Sequence, residues 1–174
     1  MCRPASFLCP TLICFLFASG VPAHSQVTDR TIPPSPEHPI LTLHATGSQI
    51  YGCQSVDGAF QWVFSAPAAR LFDDSGKEVA THGDGPVWVY QDGSAIHGVV
   101  QQKLPSPDPG SIPWLLLKAA RPERSGLLTT VDFIRRSDTQ GGVAPASGCD
   151  AQHLGAVVHV PYTATYTFYS AKAS

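Results

Sequence analysis

From Leu41 onward the chain alternates apolar and polar positions in short runs bounded by Gly, Asp and Pro. That is the period-two pattern of strands buried on one face. The runs predict strands over Leu41–Ala45, Gln49–Cys53, Phe60–Phe64, Arg70–Phe72, Glu78–Thr81, Val87–Gln91 and Ala95–Gln102, and alternation resumes over Leu127–Arg135 and Thr163–Tyr169. Trp114–Ala120 is apolar on consecutive positions, which fits either a strand buried on both faces or one or two turns of helix. Asp57-Gly58, Ser75-Gly76 and Asp92-Gly93 fall between apolar runs, where residues tolerant of positive φ let tight hairpins close. Consecutive strands are therefore expected to pair antiparallel.

Two stretches break the pattern. Residues 104–113 carry Pro105, Pro107, Pro109 and Pro113, too few backbone donors for a central strand, and Thr139–Gly148 contains Gly141-Gly142 and Pro145. Both are expected to be loops. Near Pro67-Ala68-Ala69 a proline stands where it can open a single helical turn. No repeat and no long helical periodicity is present. Roughly eight to ten short strands in one unit favour a closed or two-layered architecture, since an open sheet of that length exposes its edges. The expected fold is mainly β: one antiparallel β-sandwich or β-barrel over residues 40–172, with long Pro/Gly-rich loops.

Composition agrees with this. The 174 residues are 43% apolar and 14% charged, enough for one packed domain, and 15 Gly with 16 Pro favour turns over helices. A net charge of -2 gives no electrostatic reason for a nucleic-acid partner. Residues 1–25 have the build of a secretory signal peptide: Arg3, an uncharged run from Pro4 to Pro22, and Ala23-His24-Ser25. Cleavage is expected before Gln26, with the site after Ala23 as the alternative. The apolar run is shorter than a membrane span and is broken by Gly20 and Pro22, so no span is expected once the leader is removed. Residues 26–39, with Pro33-Pro34-Ser35-Pro36, read as a flexible Pro-rich lead-in. The expected location is secreted or periplasmic.

Removing the leader takes away Cys2, Cys9 and Cys14 and leaves the pair Cys53 and Cys149. An oxidising compartment would join them, closing a loop of about 97 residues that is worth roughly 4.7 kcal/mol in the chain-entropy account. Neither cysteine has the CxxC spacing or basic neighbour of a reactive thiolate.

The densest polar cluster runs from His82 through Gly83-Asp84-Gly85-Pro86 to Trp88, Tyr90 and Asp92, with Ser94 and His97 following. Strand alternation would place Trp88, Tyr90 and Asp92 on one face, an aromatic wall beside a carboxylate that suits a sugar or another small ligand. His82, Trp88, Tyr90 and Asp92 are the ligand-binding candidates. The plainer reading makes Asp92-Gly93 a hairpin and Trp88 core. A metal held by His82 and His97 with Asp84 or Asp92 lacks any HxH, HExxH or CxxC spacing, and Ser94 lacks a GxSxG elbow. No metal and no cofactor is expected. Tyr162, Tyr166 and Phe168 share one side of the last strand, which suits core packing. Arg121, Arg124, Arg135 and Arg136 read as solvated faces.

An ordered set of motifs resembles domain-of-unknown-function family 3455, a family of secreted bacterial and fungal proteins. The set includes Gly47-Ser48-Gln49-Ile50-Tyr51-Gly52-Cys53, Trp62, Ala66-Pro67-Ala68, His82 with Gly85-Pro86-Val87-Trp88, and Asp92-Gly93-Ser94. It continues through Ile112-Pro113-Trp114, Thr139-Gln140-Gly141-Gly142, Cys149-Asp150 and Val160-Pro161-Tyr162-Thr163-Ala164. The resemblance spans roughly residues 40–170 and implies export and a single mostly-β domain, and it assigns no activity. The dehydrogenase label of some fungal relatives is not carried over, because GxGxxG is absent. The expected function is a noncatalytic binding or envelope-associated module for a small molecule or glycan. The alternative is a small hydrolase of carbohydrates or esters, with Asp92 or His82 as general base. Mass spectrometry of the exported protein is expected to show a chain starting at Gln26. A thiol reagent should find no free thiol in the unreduced, unfolded protein; two reactive thiols would refute the bridge.

Overall fold

The computed structural model describes residues 29–120 and 125–171, so the leader expected over residues 1–25, Gln26, Arg121 and Arg124 lie outside the described residues. Eight strands follow in order: β1 (His38–Val56), β2 (Ala59–Phe72), β3 (Glu78–Gly83), β4 (Val87–Tyr90), β5 (Ala95–Leu104), β6 (Trp114–Ala119), β7 (Phe133–Gly141) and β8 (Val157–Ser170). Each pairs antiparallel with the next, and β8 pairs back onto β1, closing a barrel. Closure leaves the ring no free edge, which is the physical advantage of a barrel over a sandwich.

Two pairs of predicted strands are single strands. Gly47-Ser48 looked like a break between Leu41–Ala45 and Gln49–Cys53, yet Gly47 lies inside β1, paired with Ala69 of β2. A Cβ there would run into the Ala68 carbonyl oxygen and Ala69, so glycine serves a close strand crossing rather than a turn. The expected helical turn at Pro67-Ala68-Ala69 is likewise absent: these residues continue β2, joining Phe60–Phe64 to Arg70–Phe72. Proline is tolerated because β3 pairs with β2 only from Ala69 onward, so Pro67 interrupts no ladder on that side.

Trp114–Ala119 is strand, whereas Leu127–Thr130, expected as strand, forms a short 3-10 helix, η1. Its start is Gly126 at φ 149°, and Asp92 Oδ2 accepts from the Leu127 N–H at 2.7 Å. The Thr139–Gly148 loop begins later than expected, since Thr139–Gly141 belong to β7. Part of the lead-in is fastened: Asp29 pairs with Arg135 at 2.7 Å, and Thr31, fully buried, accepts from Arg135 Nε.

The antiparallel order sorts the connections onto two ends. The β2–β3, β4–β5 and β6–β7 links share one end with the start of β1, and η1 inserts Leu128 there. At the opposite end lie the β1–β2, β3–β4, β5–β6 and β7–β8 links. The Cys53–Cys149 disulfide joins β1 to the β7–β8 link at that end, across a sequence separation of 96. Trp62 Nε1 also donates to the Ser147 carbonyl at 2.9 Å, fastening the same link to β2.

Inward positions Leu43, Leu71, Trp88, Ile96, Ile134, Tyr162, Tyr166 and Phe168 form the core. Trp88 meets Tyr166 and Phe168 edge-on, with centroids 5.5 and 6.4 Å away. Space for its indole comes from Gly98, where a Cβ would lie 2.9 Å from Trp88 Cζ3 and from Leu117 Cδ2. Gly98→Ala is expected to lower unfolding stability by about 1–3 kcal/mol through overpacking. In urea titrations, Trp88→Phe should relieve part of that cost, so the double variant loses less than the two single losses together.

Candidate functional site

The end of the barrel away from η1 is incompletely filled. A cavity of about 630 Å³ opens there, and every strand contributes to its wall, β6 through Leu115 and Leu117 and β7 through Arg136. Gln49 and Tyr51 come from β1, Phe64 and Pro67 from β2, His82 from β3, Trp88 from β4, Val100 and Lys103 from β5, and Tyr166 from β8. Ile112 and Pro113, at the end of the proline-rich loop, complete it. Eight strands enclose an interior just wide enough for packed side chains or for one small ligand. This barrel is packed at the η1 end and open at the other.

His82 and Trp88 meet at the cavity. Cross-strand pairing of His82 with Trp88 sets their rings parallel, 9° apart at a centroid distance of 4.2 Å. Nδ1 of His82 lies 2.9 Å from the Val87 carbonyl oxygen. That contact requires a proton on Nδ1, so the neutral ring keeps an acceptor lone pair on Nε2. Burial pushes His82 down to about 4; the charge of Arg136 adds to the fall and the bond to Val87 opposes it.

Tyr90 and Asp92 do not line the cavity. β4 ends at Tyr90, and Asp92 lies in the turn at the η1 end, so the expected single face carrying Trp88, Tyr90 and Asp92 does not form. Asp92 Oδ1 accepts from the Ser94 amide at 2.8 Å and the Ser94 hydroxyl at 2.6 Å, while Oδ2 accepts from Leu127. These donors hold its carboxyl below the usual carboxylate range, the Leu127 amide first among them. Ser94 in turn accepts from the buried Leu128 amide at 3.2 Å. Asp92 thus anchors its own turn and the start of η1, a contact that the sequence reading did not include. Among the described residues no group of three or more His, Cys, Asp or Glu is arranged to hold a metal ion.

The residue that sequence reasoning missed is Arg136. Read as part of a solvated face, it is only 9% exposed and lines the cavity. Its Nε and Nη2 donate to the Pro113 carbonyl at 3.1 and 2.9 Å. That carbonyl is positioned by its own loop, because Ile112 donates to Gly141 and accepts from Thr139 Oγ1. Among the described residues no acid pairs with Arg136, whereas neighbouring Arg135 has Asp29. Two further cavity residues carry buried donors without partners, Gln49 at Nε2 and Trp88 at Nε1. The inward register of Arg136 against Tyr166 was the available signal, since Tyr166 belongs to the buried series Tyr162, Ala164, Tyr166 and Phe168 of β8.

A histidine held neutral by burial makes folding depend on pH. The folded ring binds its proton only near pH 4, while the unfolded ring binds it from 6.5, so stability is complete above 6.5 and declines as pH falls toward 4. Urea unfolding should show a loss of about 3 kcal/mol over that window beyond whatever His82→Gln shows. Equal slopes in the two proteins would refute a buried neutral His82.

Residues 34–170 match the family described as Protein of unknown function (DUF3455). No curated protein and no solved structure matches the chain. The match covers the whole barrel and its walls, including His82, Trp88, Pro113 and Arg136, and the chain belongs to the DUF3455 family.

Proposed function

We propose that the protein is an exported, noncatalytic binding module that takes one small, mostly apolar molecule into the open end of its barrel. The observation that carries this reading is the cavity itself. Its volume of about 630 Å³ falls among those of small-molecule sites, roughly 300–1,000 Å³. Its wall combines aromatic and aliphatic surface with a few polar groups, the usual composition of such sites. Phe64 and Val100, each about half exposed, carry apolar surface out to the mouth. A polyhydroxylated sugar would strand its hydroxyls against these walls, so the favoured ligand is less polar than a glycan.

Support for a noncatalytic role comes from the arrangement of the candidate acid–base residues. His82 and Asp92 stand at different ends of the barrel, and Asp92 is committed to Ser94 and Leu127. Export agrees with the Cys53–Cys149 bridge, which persists in oxidising compartments. No helix among the described residues is long and apolar enough to cross a membrane.

The neutral dye N-phenyl-1-naphthylamine tests the reading, because its fluorescence rises in dry apolar sites and it carries no charge to bind surface ions. Saturable enhancement with one site per chain is expected. Val100→Trp, which crowds the mouth from an exposed position, should weaken binding at least tenfold while the unfolding midpoint stays in place. Absence of saturable binding to the wild-type protein would overturn the proposal.

A further inference from the structure

We infer that the cavity selects an organic monocarboxylate, with the carboxylate seated on Arg136 and the apolar body lying against the His82–Trp88 pair. This rests on the ligand-binding reading above and specifies its ligand. Three observations carry it. The first is an uncompensated charge. A guanidinium stays protonated at any physiological pH, and moving it out of water is costly unless an anion accompanies it. Arg136 is about nine-tenths buried, and no carboxylate pairs with it among the described residues.

The second is geometry. Arg136 spends its Nε and Nη2 side on the single Pro113 carbonyl. That fixes the plane of the guanidinium and leaves the Nη1–Nη2 end, whose two N–H groups match the spacing of a carboxylate's oxygens. Pro113 thus acts as a positioning residue, holding the fork in place before any ligand arrives.

The third is the orphaned donor on Gln49. Its Nε2 is buried with the side chain and meets no acceptor within hydrogen-bond geometry. Buried donors in folded proteins are nearly always satisfied, so one facing a cavity marks the place of a ligand acceptor. Cavity charge has the same sense. Lys103 and Asp84 offset each other at the mouth, both exposed, whereas Arg136 is the charged group of the interior. One uncompensated cation matches one negative charge, and the apolar remainder of the wall sets the character of the rest of the molecule.

The test uses a pair of probes of nearly equal shape, 2-naphthoate and neutral 2-naphthamide, measured by calorimetry and by displacement of N-phenyl-1-naphthylamine. Naphthoate is expected to bind wild-type protein at least tenfold more tightly than the amide. Arg136→Gln should abolish that preference while dye binding persists, and Lys77→Gln, an exposed position in the β2–β3 link at the other end of the barrel, should leave it intact. The acid–amide comparison needs no variant, so a misfolded Arg136→Gln protein would not blunt it. Dye binding combined with equal affinity for acid and amide, or with no naphthoate binding, would overturn the carboxylate inference alone. Failure of the dye to bind would overturn the ligand-binding reading and this inference with it.

Discussion

Everything in this molecule follows from the requirement that β1 be paired along both edges. It exchanges ladder bonds with β2 from His44 to Val56 and with β8 from His38 to Gly52. A strand of 19 residues in such a position must coil strongly to bring its two neighbours round the ring. Gly47 removes the side chain that would block the crossing over Ala68 and Ala69, and a register shift at Ile50/Tyr51 relaxes the ladder further along. Once the ring closes, side chains on one face of every strand share a single interior, and the question becomes how that interior is filled.

The two ends are filled differently. At one, Asp92 and Ser94 anchor η1, and Leu128 packs inward behind them. At the other, the bulky aromatic pair His82–Trp88 forms a platform below a space that the longer strands surround without filling. The disulfide and the Trp62–Ser147 hydrogen bond hold the rim of that end against β1 and β2, so its walls do not depend on core packing alone. A rigid rim also limits the ordering cost of taking up a ligand.

Arg136 shows how the fold converts a common surface residue into a functional candidate. Arg135 and Arg136 are adjacent, yet strand alternation sends them to opposite faces. Arg135 reaches Asp29 and stacks over Trp114, its guanidinium carbon 5.0 Å from the ring centre. Arg136 turns inward, where its charge adds to the burial that depresses the His82 imidazole and its neighbour is a carbonyl rather than an acid. The same local chemistry therefore gives a peripheral ion pair on one side and, on the other, a buried guanidinium held by a carbonyl.

By itself, the sequence determined the all-β character, the antiparallel hairpins at Asp57-Gly58, Ser75-Gly76 and Asp92-Gly93, the Cys53–Cys149 pair and the His82–Trp88 neighbourhood. These are local quantities: period-two patterning, turn residues tolerant of positive φ, two cysteines beyond residue 25, and proximity across one hairpin. Tertiary structure alone decided that Gly47 and Pro67 lie within strands, that Leu127–Thr130 leaves the strand pattern to plug one end, and that Arg136 faces a cavity. Each of those depends on a neighbour distant in the chain: Ala68 over Gly47, Asp92 at Leu127, Pro113 at Arg136. Periodicity along one strand cannot report what closure of the ring brings opposite it.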